Sequence, residues 1–277
     1  MSRALRALEN LPPSLRSEGS DGRRPLPSPV MEPVDLMVNG RVARLTLNRP
    51  DRHNALDIAT LSGIPVACRD ATAAGVDVLV LAGRGIDFSV GFDLDALVEG
   101  SVDDGARLGA VAVDALVDME AITIARLQGW VVGGGAALAA ACDLRVGDPT
   151  FRMRIPEVSL GIPMGWGAVP LLVSELGPSL TKDLVMTGRD MESEEAAARG
   201  LLSRLMPEGG LDAGVEALVE RLLAMPPGPL RATKAQVAES AAVARTGEAD
   251  AARLAEAVAD PGFADRFRSY LDDVRGR

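Results

Sequence analysis

The sequence is poor in most of the residues that carry chemistry. It has a single histidine, His53, in 277 residues. One imidazole excludes multi-histidine metal sites, and it excludes Ser-His-Asp or Cys-His catalysis unless His53 itself serves. The two cysteines, Cys68 and Cys142, lie far apart in apolar surroundings, a pattern of buried free thiols rather than of a disulfide framework. Aromatic residues make up only 3%, so a core must be built from Ala, Val, Leu and Ile within the 47% that is hydrophobic. Positive charge is short as well: 29 basic against 39 acidic residues leave a formal net charge of -10. Such a surface repels nucleic acid over long range, and an anionic nucleotide would need a local basic or backbone-amide site. No apolar run approaches the roughly 20 residues of a membrane helix. The charged, Pro-rich start also lacks the hydrophobic stretch of a secretory signal. These absences point to a cytoplasmic protein with no nucleic-acid, membrane or metal partner.

What is present divides into zones. Residues 1–32 mix five Arg with Pro12, Pro13, Pro25, Pro27 and Pro29 and show no sustained periodicity, so a disordered tail is expected. Translation starting at Met31 is a second reading. An Arg-rich transit peptide is a third, against which Glu9, Glu18 and Asp21 count. Beyond the tail, Val34–Val38 and Val42–Asn48 read as strands joined by Asn39-Gly40, a hairpin signal. Asn54 or Asp57 could cap a helix towards Ala74, with a break or kink at Pro65. Val76–Ala82 and Ile122–Leu127 read as buried strands. A short helix is expected over Asp93–Val98. A longer one, over Asp103–Ala121, should turn Leu108, Val111, Ala112, Ala115, Leu116 and Met119 inward. Leu144–Val146 and Phe151–Arg154 are short strands. From Gly165 onward the pattern is helical. The plan is α/β, with a helical C-terminal third.

Two glycine-bearing junctions carry the chemistry: Phe88-Ser89-Val90-Gly91-Phe92-Asp93-Leu94, and Gly129-Trp130-Val131-Val132-Gly133-Gly134-Gly135-Ala136. Each reads as strand, tight loop and helix start. The first amides of a helix have no internal partner and sit at its positive end. Glycine lets a ligand approach them closely. Two such sites converging on one oxygen make an oxyanion hole, and the amides of Phe92 and Gly134 are the candidates. Taken alone, a Gly triplet before a helix is more often a device for close helix–strand packing than for catalysis. No GK[ST] follows it, and it does not fit GxGxxG.

The order of several motifs adds specificity. LNRPDRHNALD (Leu47–Asp57), VLVLAGRGIDFSVGFDL (Val78–Leu94), LQGWVVGGGAALAAACDLRVG (Leu127–Gly147), FRMRIPEVSLGIPMGWG (Phe151–Gly167) and MTGRDMESEEAAARGLLSRLMP (Met186–Pro207) follow one another. In this the chain resembles the crotonase (enoyl-CoA hydratase/isomerase) superfamily, from about Val34 to Val243. The resemblance implies a crotonase-type ββα superhelix over residues 33–205. It also implies a helical region over 206–277 that completes a homotrimer or homohexamer. The ligand implied is an acyl-CoA thioester, with coenzyme A part of the substrate and no separate cofactor. Its carbonyl would be held by Phe92 and Gly134, with Val90, Gly91 and Gly133 beside them. The Asn54-Ala55-Leu56 backbone would lie near the CoA nucleotide. Lys234 could meet a CoA phosphate or be a solvated helix lysine.

The departures bear on mechanism. Hydratases of the family use two glutamates, and the positions here are Ala137 and Glu157. One carboxylate is poorly suited to positioning a water for addition, yet it can carry a proton between two carbons, which favours double-bond isomerisation. A hydratase with an atypical acid/base group and a non-catalytic acyl-CoA-binding protein are the alternatives. An apolar pocket, with Trp166, Met164, Phe92 and Val90 as candidate walls, should raise the pKa of Glu157 towards neutrality. His53 is expected in a turn, Asp93 as a helix cap, and Asp143 as structural.

Overall fold

The Asn39-Gly40 turn, with Gly40 at a φ of 58°, folds β1 (Val34–Asn39) antiparallel onto β2 (Val42–Leu47) in the register Val34 to Leu47. This is seen in a computed structural model that describes residues 32–93, 102–241 and 246–275. The expected tail over residues 1–31 and the helix expected beyond Asp93 lie outside the described residues. From β2 the chain passes through α1 (Ile58–Ala73) to β3 (Val78–Gly83), which pairs parallel with β2. The helix α2 (Val102–Val117) leads to β4 (Ile122–Leu127), parallel to β3. Then come β5 (Trp130–Val132), α3 (Gly134–Ala141), β6 (Leu144–Gly147) and β7 (Arg152–Arg154). The helix α4 (Ala168–Thr187) precedes β8 (Met191–Glu192), α5 (Ser193–Ala198) and β9 (Arg204–Leu205). Helices α6 (Leu211–Leu223), α7 (Pro227–Ala241), α8 (Gly247–Ala259) and α9 (Phe263–Arg275) complete the C-terminal region.

The strands form two sheets, one of six in the order β1-β2-β3-β4-β6-β9 and one of three in the order β5-β7-β8. The central strands β3 and β4 are buried on both faces, as continuous Val/Leu/Ile runs between helices must be. One apolar cluster fills the space between the main sheet and helices α1 to α4. A second, around Val78, Val80, Ile124 and Val146, is covered by Leu211, Val215 and Leu218 of α6.

Several expectations need correction. Helix α1 runs through Pro65 unbroken. Pro65 removes the amide that would bond to Leu61, but Leu61, Ile64, Ala67, Cys68 and Ala71 are all buried, and this packing outweighs one lost bond. The kink falls instead at Gly177 in α4, where φ is 73° and ψ is 162°. On α2 the inward face holds Ala112, Val113 and Leu116, and Met119 beyond its end is also buried, while Val111 is 43% exposed. The strands β8 and β9 were not foreseen, being two residues long. Lys234 is not a solvated helix lysine. Its Nζ donates to Asp143 Oδ2 at 2.7 Å and to the Ala121 carbonyl at 3.0 Å, at the N-terminal ends of β4 and β6. Asp143 is structural as expected, also accepting from the amide and hydroxyl of Thr123. Both cysteines are buried free thiols, and burial pushes each up to about 12.

Of the two candidate caps for α1, Asp57 does the work. Its Oδ1 accepts from the Thr60 amide at 2.8 Å and the Thr60 hydroxyl at 2.7 Å. Asp57→Ala should lower stability by about 1–2 kcal/mol, read as a reduced urea midpoint at unchanged m-value.

Candidate active site

The two glycine junctions meet because the 86–93 segment is paired on both edges. On one edge, the amides of Phe88 and Ser89 donate to the carbonyls of Gln128 and Trp130, and the Val132 amide returns to the Ser89 carbonyl at 2.9 Å. On the other edge, the Leu56 amide donates to the Gly91 carbonyl at 2.8 Å and the Asp93 amide to the Leu56 carbonyl at 3.0 Å. In this parallel pairing the amide of Phe92 points away from Leu56, and it donates to no backbone acceptor among the described residues. Across from it, the Gly133 amide is used by the Arg154 carbonyl at 3.0 Å, which leaves Gly134, the first residue of α3, with an amide that the helix cannot satisfy.

The approach is close enough to require glycine. A Cβ on Gly91, whose φ is 88°, would lie 2.7 Å from the Val132 carbonyl oxygen and 3.4 Å from the Gly134 nitrogen. The Phe92 amide is joined directly to that glycine, and Phe92 and Gly134 both line one cavity.

That cavity encloses about 110 Å³ and is predominantly apolar. Val90, Gly91, Phe92, Gly133 and Gly134 form one wall, and Pro156, Glu157, Met164 and Trp166 form another. Trp166 is nearly buried and meets Phe92 edge to face, with ring centroids 6.1 Å apart. Its ring lies directly on Gly134 and Gly109: an added Cβ would come within 2.2 Å of the indole at Gly134 and 1.9 Å at Gly109. Trp166 holds a φ of 60°, a left-handed conformation that costs a non-glycine residue of order 1–3 kcal/mol.

Glu157 sits against the second glycine junction. A Cβ on Gly133 would be 2.5 Å from Glu157 Oε1. The residue is half-buried as a whole, but Oε2 is fully buried with no hydrogen-bond partner among the described residues. Burial raises the carboxyl from its ordinary 4.5 to about 7, with its own backbone amide pulling slightly the other way. The second carboxylate on the cavity wall, Asp250, is already committed. Its Oδ2 accepts from the Gly167 amide at 2.8 Å and the Thr246 hydroxyl at 2.9 Å, and its Oδ1 from Arg253 at 2.7 Å. Ala137 is wholly buried and does not reach the cavity. Phe92, Gly134 and the Glu157 carboxyl thus share a lining that is mostly apolar.

A profile of the enoyl-CoA hydratase/isomerase family matches residues 38–259. The chain belongs to this family. A Thermus thermophilus protein assigned to the enoyl-CoA hydratases is 37% identical over 203 residues, covering 70% of this chain and 79% of that protein. Among solved structures, an enoyl-CoA hydratase/isomerase from Xanthobacter autotrophicus Py2 superposes with a TM-score of 0.75 at 29% identity, covering 88% of this chain and 93% of that one. A Thermobifida fusca protein assigned to the enoyl-CoA hydratases, in complex with acetoacetyl-CoA, gives 0.71 at 30% identity, covering 81% and 96%. The crotonase fold expected from the motif order is borne out.

The structure gathers Val90, Gly91, Phe92, Gly133, Gly134, Glu157, Met164 and Trp166 at one cavity. Asn54, Ala55 and Leu56 are not on its wall. They are buried, and their polar groups are used within the fold. The Asn54 side chain donates to the carbonyls of Arg84 and Asp87 at 2.9 Å, and its own carbonyl receives the Ser89 hydroxyl at 2.8 Å. These three residues hold the Phe92 strand in place. His53 does lie in a turn, and its Nδ1 is 2.6 Å from Asp87 Oδ2, while Asp87 Oδ1 accepts from the Trp130 amide. Asp93 receives Arg49 at 2.9 Å and Arg52 at 3.3 Å. The helix it was expected to cap lies outside the described residues. Sequence reasoning missed Gly105, Ala106, Asp250, Leu254 and Tyr270 on the cavity wall. Tyr270 had one available signal, as the only tyrosine in an aromatic-poor chain.

A carboxyl raised by burial favours the folded state only while it is protonated. Its contribution is full below pH 4.5, the unfolded value, and is lost as pH rises through about 7. Glu157→Gln should therefore be more stable than the parent above pH 7, by an amount of order 1–3 kcal/mol, and equally stable near pH 4. Urea titrations at the two pH values measure this directly.

Proposed function

We propose that this protein moves the double bond of an enoyl-CoA, using Glu157 as its one acid/base group and the amides of Phe92 and Gly134 to hold the thioester oxygen. The observation that carries the reading is the Glu157 carboxyl, with Oε2 unpartnered and its pKa at about 7, beside Gly133 in a cavity whose other acid is engaged. The acyl-CoA ligand is supported by family membership and by the acetoacetyl-CoA bound in the Thermobifida fusca relative.

The steps follow from the groups present. Ionised Glu157 takes a proton from C2 of a 3-enoyl-CoA, and the C–H electron pair moves into a dienolate whose charge rests on the thioester oxygen. Two preorganised amides in an apolar cavity stabilise that charge by several kcal/mol. Neutral Glu157 then returns the proton to C4, leaving the double bond between C2 and C3. A carboxyl titrating at about 7 can hold either state at neutral pH, as a proton carrier must. Hydration would need a second group to hold and activate a water. Position 137 is an alanine, and Trp166 covers the start of α3 with hydrocarbon. Coenzyme A enters as part of the substrate, and the scheme needs no separate cofactor.

The test offers trans-3-enoyl-CoA and trans-2-enoyl-CoA and follows migration, hydration and binding separately. The expected result is migration. Glu157→Gln should lower it by roughly 10²–10⁴-fold while acyl-CoA binding stays within a few-fold. Hydration without migration would instead favour an atypical hydratase, and binding with neither would leave an acyl-CoA-binding protein.

A further inference from the structure

We infer that Asp250, on the C-terminal helix α8, is a positioning residue that clamps the Trp166–Gly167 turn and thereby keeps water from the acyl cavity. The effect on proton transfer rests on the Glu157 reading above; the clamp itself does not.

Trp166 and Gly167 are consecutive residues at positive φ, 60° and 72°. A tryptophan does not choose that conformation, so the surroundings must impose it. The bond that fixes the turn comes from another part of the chain, the Gly167 amide donating to Asp250 Oδ2 at 2.8 Å. Asp250 is buried on the cavity wall and is itself fixed by the Thr246 hydroxyl and Arg253. A carboxylate held by three donors is a rigid strut.

The helix behind the turn is shaped for the same purpose. Gly105 and Gly109 of α2 leave room for the rings of Phe92 and Trp166, and an added Cβ would meet them at 2.4 and 1.9 Å. One residue on, Ala110 meets Gly247 at the start of α8, where an added Cβ would lie 2.7 Å away. Thus α2 is held between the aromatic wall and the helix that carries Asp250. Without the Asp250 bond, nothing polar holds the Gly167 amide, and the indole can swing off Gly134. The amide of Gly134 and the carboxyl of Glu157 would then meet solvent, and a proton parked on Glu157 could exchange before it reached C4.

The experiment uses the full chain with Trp130→Phe, which leaves Trp166 as the one tryptophan. Acrylamide quenching of its fluorescence reports the indole's exposure. Deuterium in the product after turnover of 3-enoyl-CoA in D2O reports solvent access to the carried proton. Asp250→Ala should raise the quenching constant severalfold and bring deuterium incorporation close to one per turnover. Asp250→Asn keeps an oxygen for the Gly167 amide and should restore both readings towards the parent. Thr246→Val should move both in the same direction by less, and it decides the matter if Asp250→Ala does not fold. Parental quenching in these variants overturns the clamp, and so does increased quenching without increased exchange in an active enzyme. A parent that moves no double bond removes the Glu157 reading instead, and quenching then decides the clamp alone.

Discussion

The two-sided pairing of the 86–93 segment is the constraint on which the rest depends. One edge is bonded to Leu56 and the other to the 128–132 strand, so the segment can neither slide nor rotate. Register fixes which amides are consumed and which are left over. Alternation along a parallel strand consumes the Asp93 amide and leaves that of Phe92. The Arg154 carbonyl consumes the Gly133 amide and leaves that of Gly134. A slip of one residue on either strand would exchange bonded for unbonded groups and remove the pair. Much of the polar machinery nearby guards this register: Asn54 ties its own turn to the 84–89 segment, Gln128 donates to the Gly83 carbonyl, and Asp87 braces both Trp130 and His53.

A cavity built this way is expensive in several independent currencies, and the sequence shows where each is met. Main chain can approach main chain only where Cβ is absent, which accounts for Gly91, while Gly133 and Gly134 make room for the Glu157 carboxyl and the Trp166 ring. An apolar wall needs large rings. A chain with few aromatics places one of its two tryptophans and its only tyrosine on this cavity. Glu157 loses hydration without gaining an ion-pair partner among the described residues. The same desolvation that weakens the fold at high pH brings the carboxyl into the range where it can give and take a proton.

Legibility followed the range of the interactions. The hairpin at Asn39-Gly40, the buried runs of β3 and β4 and the start of α3 depend on local conformational preference, and all were readable. Glycines flanking two strand ends announced close main-chain approach, and the motif order assigned Glu157. The failures were tertiary. Pro65 reads as a break until one sees five buried neighbours on the same helix. Lys234 reads as solvated until Asp143 comes to it from 91 residues away in sequence. Asp250 and Tyr270 reach the cavity from the last two helices, and no periodicity announces which residue of a C-terminal helix will face a site built near the middle of the chain.

That last point bears on why a helical C-terminal region accompanies the sheets at all. The proposed oxyanion donors and the proposed base come from residues 92–157, yet the same cavity is also lined by Asp250, Leu254 and Tyr270. Donors in open water would gain little, because solvent competes for the oxyanion and screens the amide dipoles. The earlier segments can place the charged groups, but they leave the cavity open on the side where α8 and α9 pack. Sealing it requires hydrocarbon held rigidly, and a tryptophan at positive φ is held only by what grips its neighbour. On the proposed reading, the C-terminal helices contribute through exclusion: they would turn an arranged set of donors into a set that acts at low dielectric.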